Sequence, residues 1–107
     1  MTVGKKCEIC QAAVKKFGRV SQVLKTVEEL SELAWALVRD LPIDAPEEVE
    51  VNVCEEIADV EIMLGQLWLL YDTTEISEWK DSKLERLARM VGVEIGEDEN
   101  EHQRDQT

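Results

Sequence analysis

A chain of 107 residues has room for one domain with a modest core, so helix packing between chains is a natural supplement. Its formal charge of -12 argues against direct binding to a nucleic-acid backbone or an anionic membrane. Six acids against Arg104 give residues 94–107 a net charge of -5, which leaves -7 for the body.

The first twenty residues hold no apolar signal-peptide core. Ile57 to Tyr71 is the longest apolar run, but it is too short for a membrane span and contains Asp59 and Glu61. A cytoplasmic protein with no membrane contact is therefore expected. Cys7, Cys10 and Cys54 are odd in number and fit reduced thiols. Cys7 and Cys10 have CxxC spacing, yet a zinc site needs four ligands and His102, in the polar tail, is the only histidine.

The chain reads as helical nearly throughout. Lys5 to Phe17 is a short amphipathic segment with Ile9, Ala13 and Phe17 in line. Gly18 offers a break, and Ser21 an N-cap for a second helix running to about Leu41. That helix carries an apolar stripe of Val20, Val23, Leu24, Val27, Leu30, Ala34, Leu37, Val38 and Leu41. Pro42 ends it, and Asp44-Ala45-Pro46-Glu47 resembles a capping box.

The alternation of Val49, Val51 and Val53 is compatible with a strand in isolation, but the capping signal and the long continuation favour a third helix. From Ile57 to Tyr71 this helix is apolar on nearly all sides, which predicts burial on all sides. Asp72-Thr73-Thr74-Glu75 is a second capping box, opening a fourth helix to about Val91 with Gly92 as its stop. Leu84, Leu87, Ala88 and Val91 are expected to face inward, opposite Lys80, Lys83, Arg86 and Arg89. The division is thus a helical domain over 1–92 and an acidic tail over 93–107 expected to be disordered.

Two acidic pairs stand out. Glu28-Glu29-Leu30-Ser31-Glu32 and Glu55-Glu56-Ile57-Ala58-Asp59 each place carboxylates three apart, on one face of a helix. Glu29 with Glu32, facing Glu56 with Asp59, would hold a hard cation, and Mg²⁺ or Mn²⁺ prefers such oxygens. The plainer reading of Glu29 and Glu32 is a solvated face. Glu56 and Asp59, however, continue along the helix into Met63 and Leu70, on a face otherwise being buried, where unpaired carboxylates are costly. A ferritin-like di-iron site would use Glu-x-x-His pairs, and no histidine lies near either pair.

The order EELSEL, EEIADV and then KDSKLERLAR resembles the MazG-like all-α nucleoside triphosphate pyrophosphohydrolases, relatives of the dimeric dUTPases, over roughly Phe17 to Arg89. FGRVSQVLKTVEELSEL is similar to the start of their small single-domain members. The resemblance implies a four-helix-bundle-like homodimer or homotetramer that uses Mg²⁺ to cleave an NTP or dNTP into the monophosphate and pyrophosphate. On matching positions it makes Glu29, Glu32, Glu56 and Asp59 metal ligands, with more than one Mg²⁺ expected beside a bound triphosphate. Glu28 or Glu55 would orient the attacking water. Lys83 and Arg86 become candidates for phosphate contact, Gln22 for touching the base and Trp35 for stacking on it. The alternative from another class is a non-catalytic acidic helical oligomer that binds a nucleotide or a protein partner.

Overall fold

The structure, a computed structural model, describes residues 1–96 and contains four helices: α1 (Val3–Phe17), α2 (Arg19–Asp40), α3 (Glu47–Leu70) and α4 (Thr73–Val91). The valine alternation is helical, because it lies within α3. Residues 93–96 carry no helix, and the remainder of the expected tail lies outside the described residues. Among the described residues no helix is long and apolar enough to cross a membrane.

Gly18 and Gly92 are the backbone punctuation. Gly18 closes α1 at φ 86°, a conformation that side chains with a Cβ rarely adopt, and its carbonyl accepts from Gln22 N at 3.1 Å to start α2. Ser21 is therefore not the cap; it lies inside the helix that Gly18 has already opened. Nor does Asp44 cap α3, which starts behind Pro46 with no side-chain bond. There the fixed φ of proline and the acidic first turn of Glu47, Glu48 and Glu50 suit a helix N-terminus. The fourth start is as expected: Asp72 Oδ1 accepts from Glu75 N at 3.1 Å, and Gly92 ends α4 in the left-handed conformation.

By packing, the chain divides at Tyr71 into two compact units. In the first, α2 and α3 pair most extensively and α1 lies against both. Arg19 meets Leu70 and Gln22 meets Gln66, while Glu29, further along α2, lies near Glu56, further back on α3. Position rises on one helix as it falls on the other, so α2 and α3 form an antiparallel αα-hairpin. Its open end is fastened by Arg19, which donates to the Leu70 carbonyl at 3.0 Å and stacks 4.7 Å over the Tyr71 ring, a cation at a helix C-terminus.

The face that α2 buries is not its apolar stripe. Gln22, Thr26, Glu29 and Ala36 are the buried residues, whereas Val20, Leu24, Val27, Leu30, Leu37, Val38 and Leu41 are exposed. The all-round burial expected of α3 is corrected likewise: Val53, Val60, Met63 and Gln66 are buried, while Ile57, Ile62, Leu64, Trp68 and Leu69 remain exposed. Two neighbours, α2 and the shorter α1, cannot surround a helix of 24 residues. In the second unit α4 buries no residue, and Leu84, Leu87 and Val91 are exposed where inward packing was expected.

Candidate metal centre

The buried face of α2 makes a polar seam against α3. Residues 22, 26, 29 and 36 recur every three, four or seven positions, a single helical stripe. At the hairpin's open end the seam is satisfied internally. Gln22 Nε2 donates to Gln66 Oε1 at 2.6 Å, Gln66 Nε2 to Met63 Sδ at 3.7 Å, and Thr26 Oγ1 to the Gln22 carbonyl at 2.8 Å. Each buried polar group there has a partner, as burial demands.

One turn further the seam is no longer satisfied. Glu29 is only 7 % exposed. Lys25 holds Oε1 at 3.1 Å, but Oε2 is buried with no hydrogen-bond partner, and Glu56 Oε2 across the seam is in the same state. Glu29, Glu32 and Glu56 each offer an oxygen, and these lie within 4.8 Å of one another. Glu29 and Glu32 come from successive turns of α2; the antiparallel pairing supplies Glu56 from α3.

The electrostatics show a cluster short of positive charge. Repulsion from Glu29, and then desolvation, raise the Glu32 pKa above its ordinary value. Desolvation is the first cause for Glu56, followed by the charges of Glu32 and Asp59. Lys25 is raised in turn, by its hydrogen bond to Glu29 and then by the charge of Glu28. A buried carboxylate oxygen with no donor, among like charges, is what a hard cation would satisfy. The all-oxygen donor set fits Mg²⁺ or Mn²⁺ and not a softer metal.

Asp59, the fourth expected ligand, is half-buried and stands outside the three-carboxylate cluster. Glu28 and Glu55 are exposed next to it in sequence, and Glu28 Oε2 sits 3.5 Å from Lys25 Nζ. Gln22 is in the seam, its amide engaged by Gln66. Trp35 is 64 % exposed. Lys83 and Arg86 are exposed on α4 in the second unit, with the Lys83 ammonium 5.8 Å from the centre of the Trp79 ring. Cys7, Cys10 and Cys54 are all free thiols, and Cys10 Sγ lies 4.0 Å from the Ile62 carbonyl.

Two participants carry no weight in the motif reading: Gln66, and Lys25 as the partner of Glu29. The spacing of Lys25, four residues before Glu29, is the signal that would have raised it. Gln66 had no such signal, since its role depends on the register between helices. In comparisons with known proteins, no family model, curated protein or solved structure matches the chain.

Proposed function

We propose that the protein is a Mg²⁺-dependent nucleoside triphosphate pyrophosphohydrolase of the MazG-like kind, working as a homodimer or homotetramer of helical bundles. It cleaves an NTP or dNTP into the monophosphate and pyrophosphate. The observation that carries the reading is Glu29, nine-tenths buried, with one carboxylate oxygen unpartnered inside a cluster of three acids from two helices.

Glu29, Glu32 and Glu56 are the residues that would hold a divalent ion, while Asp59, one turn on from Glu56 and outside their cluster, adds a further negative charge beside Glu56. A divalent ion held there would supply charge neutralisation for a polyphosphate and a more acidic water. Glu28 and Glu55, both exposed and next in sequence to Glu29 and Glu56, would orient a water and accept its proton. Exposed Trp35 offers an aromatic face for a base, and Lys83 and Arg86, which belong to the second unit, are the phosphate-contact candidates that the resemblance gives. The engagement of Gln22 with Gln66 makes it the weakest of these assignments.

Pyrophosphate release from a panel of NTPs and dNTPs, with and without Mg²⁺, tests the reading. Mg²⁺-dependent release is expected, falling by at least ~100-fold in Glu29→Gln, the scale on which loss of one preorganised group from a catalytic constellation acts. A second reading, a non-catalytic oligomer binding a nucleotide or a protein, is favoured by the exposed apolar face of α2. Metal binding without turnover of any nucleotide would select it.

A further inference from the structure

Lys25 has a place in the site that its surroundings define. Its ammonium lies 3.1 Å from Glu29 Oε1 and 3.5 Å from Glu28 Oε2, and its side chain is 47 % exposed. It thus bridges a buried acid and a solvated one, at the edge of the carboxylate cluster. Glu29 divides its two oxygens accordingly, one on Lys25 and the other unpartnered.

We propose that Lys25 is an exchangeable cation. It neutralises Glu29 while no divalent ion is bound, and swings to a phosphate oxygen of the substrate once the cluster holds one. A divalent ion among Glu29, Glu32 and Glu56 takes over the charge that Lys25 balances and repels the ammonium. The flexible four-carbon stem then carries that ammonium away from Glu29 while Glu28, three residues on, still tethers it at the surface. A polyphosphate drawn to the ion brings anionic oxygens to the same rim. The lysine thus competes with the metal before substrate arrives and aids the substrate afterwards. No bond is made or broken in the exchange.

This inference rests on the pyrophosphohydrolase reading, and Lys25→Met with Lys25→Arg tests it in two ways. Titration with Mn²⁺ alone, followed by electron paramagnetic resonance, is expected to show Lys25→Met binding the ion more tightly than the natural chain. In steady-state hydrolysis Lys25→Met is expected to raise KM on the order of tenfold, the size of one charge-assisted contact, with Lys25→Arg recovering part of it. In the natural chain the ¹³Cε resonance of Lys25 should move on addition of Mg²⁺, a readout that stands even if a variant folds poorly. Unchanged or weaker Mn²⁺ affinity in Lys25→Met, an unmoved resonance, or an unaltered KM each overturns the exchange while natural-chain turnover continues. Absence of both Mn²⁺ binding and turnover in the natural chain instead removes the underlying reading, and this one with it.

Discussion

At Glu56 folding and the proposed metal binding pull in opposite directions. Its carboxylate is desolvated, has one orphan oxygen and is surrounded by the charges of Glu32, Asp59, Glu29 and Glu55. Removing that charge relieves the fold but removes a ligand. Glu56→Gln is therefore expected to melt higher than the natural chain without metal, and to lose most of the stabilisation that Mg²⁺ confers; calorimetry in EDTA and in Mg²⁺ checks both. The pH dependence has a definite sign. Glu32 and Glu56 hold their protons more tightly folded than unfolded. Their contribution to stability is complete below the ordinary glutamate value of 4.5 and is lost as pH rises through the raised folded values. The melting advantage of Glu56→Gln should thus widen from pH 4.5 towards neutrality. An advantage that narrowed would mean that Glu56 is held as an anion by a partner. At this scale the sequence was informative: the three-residue spacing marked Glu29, Glu32 and Glu56. It did not reveal that Asp59 stands apart, because a carboxylate's rotamer depends on its neighbours across the seam.

The hairpin of α2 and α3 is an unusual element, since Gln22, Thr26, Glu29 and Gln66 share its buried seam with Ala36, Val53, Val60 and Met63 while most aliphatic side chains of α2 face outward. Helical periodicity identified four helices and most of their ends, but it pointed α2 inward by the wrong face. Periodicity reports where apolar residues cluster, not which of a helix's faces its neighbour will cover. The Gln22–Gln66 bond gives a test of the seam. Gln66→Leu strands the buried Gln22 amide and should cost about 1–3 kcal/mol in urea unfolding, whereas replacing both glutamines by leucine should cost less. Equal losses would mean that the pair contributes nothing as a pair. The outward face gives another. Val20, Leu24, Val27, Leu30, Leu37 and Val38 are exposed, apolar side chains of the kind that associating surfaces carry. The natural chain is expected to scatter light as a dimer or tetramer, and Leu24→Glu with Val38→Glu to reduce the mass towards that of a monomer. A monomeric natural chain would contradict this.

For the whole molecule the dominant fact is charge. A net -12 is spread through tail and body, and part of the body's excess is concentrated where two helices meet. Composition alone conveyed that excess. Its concentration in space came from the antiparallel register, which the short link over 41–46 sets and no local pattern displays. Because an ion bound by the folded chain alone stabilises it by mass action, Mg²⁺ at a hundredfold excess over its Kd should add about 2.7 kcal/mol to unfolding. The test closest to the central claim is anomalous scattering from crystals grown in Mn²⁺. A peak bounded by Glu29, Glu32 and Glu56 is expected; a crystal with those carboxylates ordered and no Mn²⁺ between them would contradict the metal site.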